Sequence, residues 1–309
     1  MKLFSFIIAA APLFAGVNSG LLNLVMPDAQ AITGVQADAV RSSPFGQYVI
    51  SQIQLDPGLN QIIGSTGFDP RRDLHEIVAA SPGTQSGLVI GRGTFQPSLI
   101  SYAAIQAGAV STNYRGIQIL SGNGASQTGA VAFLDNTTAL LGDVASVKAA
   151  IDRYIAGAVY SAPLAQQAIQ VSAVNDIWFV ASESPAAYFS GKAPNQGIGN
   201  LANAFQSIQQ TSGGVKFAST GVTVGLALVA RSPQDAQALV DIGKFLVTMV
   251  QSNGGQNAGA TNAATLLQGA SFNVNGSTAT VSLSLPEQQI EQLLMPAGAT
   301  PKSRRAAAR

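Results

Sequence analysis

Small apolar residues alternate with hydroxyl residues along one stretch near the end of the chain. Between 277 and 285, one set of alternate positions is Ala279, Val281, Leu283 and Leu285, and the other is Thr278, Thr280, Ser282 and Ser284. Alternation of this length predicts an antiparallel strand that buries only its apolar face. The Asn275-Gly276 pair ahead of it predicts a type I′ turn, so residues 270–285 are expected to form a hairpin.

Helices are predicted where apolar residues recur every three or four positions behind a capping residue. The start motifs are Ser43-Pro44, Asp69-Pro70, Asp143 and Ser232-Pro233. Serine and aspartate side chains accept hydrogen bonds from the first free amides of a helix, and proline suits its first turn. Further helices are expected, among them one from Leu201 through Ile208 and a final one that begins at Pro286-Glu287.

Strands are predicted between these helices, mostly as hairpins. Their ranges are 31–36, 75–80, 87–95, 114–120, 130–141, 176–182, 215–230 and 270–285, and 215–230 is either one bent strand or a hairpin. Hairpins mixed with helices, without strict βαβ units, predict an α+β fold. The order of elements recurs, so we expect two similar halves, 20–160 and 161–297, each an antiparallel sheet with helices packed on one face.

The first residues have the pattern of an export signal. A single lysine precedes a 13-residue apolar stretch, Leu3–Ala15, which is shorter than the ~20 residues that cross a bilayer. A cut after Ser19 leaves small residues at both specificity positions, whereas a cut after Ala15 places Leu13 at one of them. We therefore expect residues 1–19 to be a signal peptide; an uncleaved anchor is the alternative.

Composition excludes several classes of function. Of the 309 residues only 10% are charged, with 16 Lys+Arg against 15 Asp+Glu, so no broad basic surface for nucleic acid is expected. The chain has no cysteine and one histidine, which excludes thiolate metal sites and leaves no expected cofactor. Four of its 16 basic residues lie in the last eight positions of the tail 298–309. We expect this tail to be disordered, and peripheral contact with anionic lipid or polymer is the alternative.

Six residues are candidates for ligand binding. Arg71 and Arg72 follow a helix start and could grip an anion, although local pairing with Asp73 and Glu76 is the simpler interpretation. Trp178, the only tryptophan, and the neighbouring Phe179 could line a pocket or belong to the core. Thr280 and Ser282 lie on the outer face of the last predicted strand, which either packs against the other half or meets solvent or a ligand.

Catalytic and metal sites are not expected. The one histidine, His75, has no G-x-S-x-G nucleophile motif to serve, so we interpret it as structural. The oxygen-ligand pairs Asp69/Asp73 and Asp135/Asn136 could bind calcium, but neither has EF-hand spacing. We therefore predict no catalytic residue, no metal ligand and no enzyme.

Several motifs resemble an uncharacterised group of exported bacterial proteins built from paired α+β repeats. They are Met26-Pro27-Asp28-Ala29, Ser43-Pro44-Phe45-Gly46, the run from Gly67 to Leu74 (GFDPRRDL), Leu141-Gly142-Asp143 and Ser232-Pro233-Gln234-Asp235-Ala236. The similarity covers most of residues 21–295. It implies an exported protein without known enzymatic activity, and it transfers no functional residues.

Three functions remain open. The first is an exported, non-enzymatic binding or interaction protein of the cell envelope, periplasmic or extracellular, with an envelope protein or polymer as partner. The second is a carrier of a lipid or other apolar ligand held between sheet and helices, which needs a cavity of about 300 Å³ or more. The third is a hydrolase with a cryptic acid pair, and a surface-layer or assembly role is also open.

Overall fold

The computed structural model describes residues 16–52, 57–83, 86–123, 129–159, 163–182, 205–252 and 266–286. The helices of this part of the chain are α1 Ser19–Leu22, α2 Ala37–Ser42, α3 Pro44–Gln52, α4 Pro57–Thr66, α5 Pro70–Asp73, α6 Pro97–Gln106, α7 Val144–Ile155, α8 Pro163–Ser172 and α9 Pro233–Ser252. The strands are β1 Ala31–Gln36, β2 Leu74–Ser81, β3 Leu88–Gly93, β4 Val110–Tyr114, β5 Ile117–Ser121, β6 Gly129–Phe133, β7 Thr138–Asp143, β8 Ile177–Ala181, β9 Ile208–Ala218, β10 Gly221–Ala230, β11 Ala270–Asn275 and β12 Thr278–Pro286.

All twelve strands join in one antiparallel sheet. Their order is β11-β12-β10-β9-β8-β1-β2-β3-β7-β6-β5-β4, so β1 lies between β8 and β2 and links the two ends of the sheet. Strands β1, β2 and β3 form one meander, and β8, β9 and β10 form another. Beyond them, β7 pairs with β3 and β12 pairs with β10. The α+β class and the antiparallel sheet are confirmed. The division into two similar halves stays a prediction.

Helices cover opposite faces at the two ends of the sheet. Residues paired across neighbouring strands share a face, and the face of Ile32, Trp178 and Val180 packs against α7 and α8; we call it the α8 face. The opposite face, here the α9 face, carries Leu228 and Ala279 and packs against α9. The protein therefore has a large core on one side of the sheet and a smaller one on the other.

The capping residues predicted from the sequence begin their helices. The Ser43 hydroxyl accepts from the Gly46 amide at 2.9 Å, and the Asp69 carboxylate accepts from the Arg71 amide at 2.9 Å. The Asp143 carboxylate accepts from the Ser146 amide and hydroxyl at 2.9 and 2.6 Å. The Ser232 hydroxyl accepts from the Asp235 amide at 3.1 Å ahead of α9.

The predicted hairpin before β12 is confirmed, but its turn differs. Asn275 pairs with Thr278, so the two loop residues are Gly276 and Ser277. Of these, only Gly276 has a positive φ, 56°. A type I′ turn needs positive φ at both central residues and a type II′ turn only at the first, so this turn fits type II′.

Two ranges predicted as single strands are hairpins instead. The range 114–120 breaks at Arg115 and Gly116, whose φ angles are 52° and 85°, so a tight turn joins β4 to β5. The range 130–141 breaks at Asp135, whose carboxylate accepts from the amide and hydroxyl of Thr137 at 2.7 Å and holds a turn between β6 and β7. The interval 215–230 is the hairpin of β9 and β10.

Other predictions at the ends of elements are wrong or outside the described residues. Ile208 begins β9 and does not end a helix, because it enters the small core beside α9. The positions 201–204, the final helix after Pro286 and the tail 298–309 lie outside the described residues, as do the first 15 residues. No helix of the described ranges is both long and apolar enough to cross a membrane.

Residues just before α1 belong to the core. Val17 is 7% exposed, and its amide donates to the Ser172 hydroxyl at 2.9 Å. The Asn18 amide donates to the Glu76 carboxylate at 2.9 Å. A cut after Ser19 would remove both contacts. The signal peptide itself stays a prediction.

Candidate functional site

A cavity of about 730 Å³ lies on the α9 face of the sheet, next to the part covered by α9; we call it the sheet cavity. Its lining comes from Phe205 and from six adjacent strands, β1, β2, β3, β8, β9 and β10. The lining side chains are mostly apolar, and among the described lining residues none is charged. Ligand pockets commonly have volumes of about 300–1,000 Å³ and an apolar lining of this kind.

Strand register produces the floor of the sheet cavity. Ala31, Ala181 and Thr211 lie opposite one another on β1, β8 and β9, and Leu228 of β10 continues the row. The short side chains of Ala31, Ala181 and Thr211 leave space above the central strands. Leu228 also packs in the small core beside α9, so the cavity begins where that core ends.

The hydroxyl groups at the sheet cavity differ in their hydrogen bonding. Thr33 donates to the carbonyl of Trp178 at 2.8 Å, and the Ser81 hydroxyl donates to the carbonyl of Ser86 at 3.2 Å. The Thr211 hydroxyl, on a residue only 6% exposed, is buried without a hydrogen-bond partner in the described structure.

Trp178 and Phe179 lie on opposite faces of β8. Trp178, a predicted ligand-binding residue, is 1% exposed in the core of the α8 face and does not line the sheet cavity. Phe179 points to the α9 face, is 36% exposed and lines the cavity. The structure thus places the neighbouring aromatic residue at the cavity, and ligand contact by Trp178 stays a prediction.

Arg71 and Arg72 make local ion pairs. Arg71 contacts the Asp69 carboxylate at 2.8 Å, and Arg72 contacts the Asp73 carboxylate at 2.7 Å. The hydrogen bonds from these guanidinium groups lower the pKa of Asp69 and of Asp73 below the ordinary value. The prediction that Glu76 is a local partner of these arginines is wrong, because its buried carboxylate pairs with Arg92 on β3. Neither Arg71 nor Arg72 lines the sheet cavity.

Thr280 and Ser282 lie on the α8 face at the far end of the sheet. Ser282 is exposed, and its hydroxyl is 2.7 Å from that of Ser271 on β11. The Thr280 hydroxyl donates to the carbonyl of Asn273 at 3.3 Å. These hydroxyl groups bond within the sheet and face away from the sheet cavity, and their role as ligand contacts stays a prediction.

A second cavity of about 350 Å³ lies at the edge of α1 and α7 and is more polar. Arg153 lines it and donates to the carbonyl of Leu24 at 2.7 and 3.0 Å from two nitrogens; burial lowers the pKa of this guanidinium. Arg92 also lines it and pairs with Glu76. Arg153 thus joins α7 to the residues that follow α1, and Arg92 pairs with the carboxylate that accepts from the Asn18 amide.

His75 forms a polar cluster at the start of β2. Its Nδ1 lies 3.0 Å from the Asp38 carboxylate and its Nε2 lies 3.3 Å from the Thr94 hydroxyl. Asp38 also pairs with Arg41, and His75 lines neither of the two cavities described above. Within the described ranges, no three His, Asp or Glu residues gather as a metal site would require.

Apart from Phe179, sequence reasoning missed the residues that form the sheet cavity. Ala31, Ala181 and Thr211 are small residues, one on each of three strands, and single small residues of this kind are common in sheets. Only the register, which aligns those positions across neighbouring strands, turns them into one floor.

Solved structures of the treponemal protein TP0453 resemble this fold. Crystal form I is 10% identical with a TM-score of 0.50, and form III is 9% identical with a TM-score of 0.54; each comparison covers 90% of this chain and 97% of that one. Form IV is 10% identical with a TM-score of 0.52 and covers 88% and 95% of the two chains. At such low identity the similarity shows the fold alone. No protein-family model and no curated protein matches the sequence, and membership in the exported group stays a prediction.

Proposed function

We propose that this chain is an exported, non-enzymatic protein of the cell envelope that holds a lipid or similar apolar small molecule in the sheet cavity. The observation that carries the proposal is the cavity itself, about 730 Å³ with a mostly apolar lining. That volume exceeds the roughly 300 Å³ at which a carrier becomes physically reasonable. A simple interaction protein would need no such space within its fold.

The chemistry of the lining supports an apolar ligand. Each methylene group that moves from water into such a site contributes about 0.8 kcal/mol. An acyl segment of about ten methylenes would therefore contribute roughly 8 kcal/mol before the entropic cost of association is subtracted. The described lining carries no charged group that could serve as general acid or base beside a hydroxyl nucleophile, and the hydroxyls of Thr33 and Ser81 already donate to backbone carbonyls.

Export rests on the sequence. The lysine and the apolar stretch Leu3–Ala15 have the length and order of a signal peptide, and the lack of cysteine suits an oxidising compartment. A basic tail at 298–309 would let the protein approach anionic lipids, where an apolar ligand could be collected or delivered.

The exposed face at β11 and β12 favours a second candidate, an interaction protein. Ser271 and Ser282 are exposed there, as is Thr223 on the adjoining strand β10, and all three carry small hydroxyl side chains. Such a surface would suit a flat partner, an envelope protein or polymer, without requiring a cavity.

The decisive experiment is native mass spectrometry of the full chain, purified from its own envelope fraction, with two matched variants. Ala79→Trp places a large ring in the sheet cavity, whereas Ala227→Trp places the same ring on the opposite face at a position of similar exposure. We expect a bound lipid mass on the wild type and on Ala227→Trp, and at least a tenfold lower occupancy on Ala79→Trp. Circular dichroism and thermal melting establish that both variants are folded.

Two outcomes would contradict the carrier proposal. One is a wild type that carries no small molecule and does not take up the apolar dye N-phenyl-1-naphthylamine. The other is equal occupancy in the two tryptophan variants, which would place the ligand elsewhere. A co-purifying envelope protein with an empty cavity would favour the interaction candidate.

A further inference from the structure

The Thr211 hydroxyl is one of three buried side-chain polar atoms without a hydrogen-bond partner in the described structure, with Trp178 Nε1 and Gln167 Oε1, and it is the one whose residue lines the sheet cavity. Thr211 is 6% exposed, its hydroxyl has no hydrogen-bond partner in the described structure, and its register neighbours are Ala181 and Leu228. Neither neighbouring side chain can donate or accept a hydrogen bond. Leaving a buried hydroxyl unpaired costs about 1–3 kcal/mol, so such groups call for a specific explanation.

From this position we infer that the Thr211 hydroxyl binds the polar atom of the ligand, and that the ligand is an uncharged lipid with a hydroxyl, ester or ketone oxygen on a long apolar body. The inference rests on the proposed function, since it assigns the chemical class of the molecule in the same cavity. It also explains why a polar residue stands in a row of apolar ones.

Among the hydroxyl groups of the described lining, that of Thr211 is the one that makes no hydrogen bond. Thr33 already donates to the Trp178 carbonyl, and Ser81 already donates to the Ser86 carbonyl. Threonine χ1 has three staggered positions, so rotation about χ1 can turn the hydroxyl, in place of the methyl group, toward an oxygen of the ligand. The ligand is therefore expected to make one principal hydrogen bond, with the rest of its surface in apolar contact.

The absence of charge along the described lining excludes an ionised head group beside Thr211. A carboxylate or phosphate buried there would lose its hydration without gaining a cation, at a cost of several kcal/mol. At the second cavity, Arg92 pairs with Glu76 and Arg153 donates to the carbonyl of Leu24. In α5, Arg71 and Arg72 form ion pairs with neighbouring aspartates. A charged amphiphile would have to keep its head group at the rim and leave Thr211 unpaired.

The test compares three probes of equal chain length, 1-decanol, decane and decanoate at pH 8, in displacing N-phenyl-1-naphthylamine from the full chain stripped of bound lipid. For the wild type we expect decanol to bind about fivefold more tightly than decane, the ratio that one net hydrogen bond supplies. Decanoate is expected to bind at least tenfold more weakly than decanol.

Variants at Thr211 separate the hydroxyl from the shape of the side chain. Thr211→Val keeps the shape and should abolish the preference for decanol while leaving decane binding unchanged. Thr211→Ser keeps the hydroxyl and should retain the preference, and Thr223→Val on the exposed opposite face serves as the control. Ligand-free Thr211→Val should melt at the same temperature as the wild type or higher, since it removes an unpaired buried hydroxyl.

Failure of the inference and failure of the proposed function have different signatures. If decane binds but Thr211→Val keeps the preference for decanol, or if decanoate binds as tightly as decanol, the inference is overturned and the apolar carrier stands. If none of the three probes displaces the dye, the proposed function fails and the inference falls with it.

Discussion

The indole ring of Trp178 occupies the space where residue 34 would carry a side chain. Trp178 and Gly34 face each other on β8 and β1, and an ideal Cβ on Gly34 would lie 2.4 Å from ring atoms Cε2 and Cζ2. Trp178 is among the largest fully buried side chains of the described core. The central strand pair that links the two ends of the sheet therefore depends on a glycine.

Replacing that glycine should weaken the fold. Gly34→Ala forces its methyl group against the ring and is expected to lower the free energy of unfolding by about 1–3 kcal/mol, the usual cost of overpacking a core. The measurement is urea denaturation followed by tryptophan fluorescence, which reports on Trp178 itself.

Gly64→Ala is the matched control. Gly64 lies exposed in α4 with nothing within 4 Å of its added Cβ, so alanine should raise the free energy of unfolding by about 0.5–1 kcal/mol. If Gly34→Ala were as stable as the wild type, the close packing of Trp178 against β1 would be wrong.

Acid should remove the stabilisation that Asp143 gives to α7. The hydrogen bond from the Ser146 hydroxyl lowers the pKa of Asp143 below its ordinary value. A carboxyl group whose pKa is lower in the folded state stabilises the fold fully above its unfolded pKa of about 4, and this contribution is lost as the pH falls through the folded pKa. We expect Asp143→Ala to cost about 1 kcal/mol at pH 7 and progressively less below pH 4.

Comparison with Asp143→Asn separates the effect of protonating the carboxylate from the effect of losing the N-cap hydrogen bond. Asparagine is also a good N-cap, so this variant should stay within a few tenths of a kcal/mol of the wild type at pH 7. Relative to the wild type it should gain stability on acidification, since it has no proton to bind. Parallel pH profiles of the free energy of unfolding for wild type and Asp143→Asn would argue against this account.

Removing the Glu76 carboxylate should loosen the segment before α1. Glu76 is 2% exposed and accepts from the Asn18 amide and the Gln36 side chain at 2.9 Å and from Arg92 at 3.2 Å. Glu76→Ala leaves these donors without their acceptor. It is expected to lower the free energy of unfolding by about 3 kcal/mol, the low end for breaking a buried ion pair, because Arg92 is 38% exposed.

The energetic coupling between Glu76 and Arg92 tests whether this ion pair itself stabilises the fold. The double variant Glu76→Ala/Arg92→Ala should lose about 1 kcal/mol less than the sum of the single variants. Hydrogen exchange should show the Asn18 amide losing protection in Glu76→Ala. Additive single effects would mean that the pair contributes no interaction of its own.

We expect that the proposed mature, exported chain begins at Gly16. Val17 is buried and bonded to Ser172, and Asn18 is bonded to Glu76, so a cut after Ser19 would remove core contacts that a cut after Ala15 retains. The intact mass and N-terminal sequence of the protein recovered from the envelope fraction test this directly. A chain that begins at Gly20 and melts as cooperatively as the longer one would contradict it.

Short-range physics made the local elements readable from the sequence. Asp143 before an amphipathic run and Gly276 in a tight turn each act within a few residues, so their helix and hairpin could be predicted. The alternation that ends at Leu285 likewise predicted the buried face of β12, because side chains along a strand alternate whatever the partner strand is.

The sequence by itself determined the α+β class, the main helix starts and the absence of cysteine chemistry. Tertiary structure decided that all described strands form one sheet, that the helices cover opposite faces at its two ends, and that small residues of separate strands meet as a cavity floor. These outcomes depend on register between residues far apart in the chain, such as Ala31 with Ala181 and Thr211 with Leu228. No pattern within one strand encodes which strand will lie beside it, so the cavity emerges only when the strands are assembled.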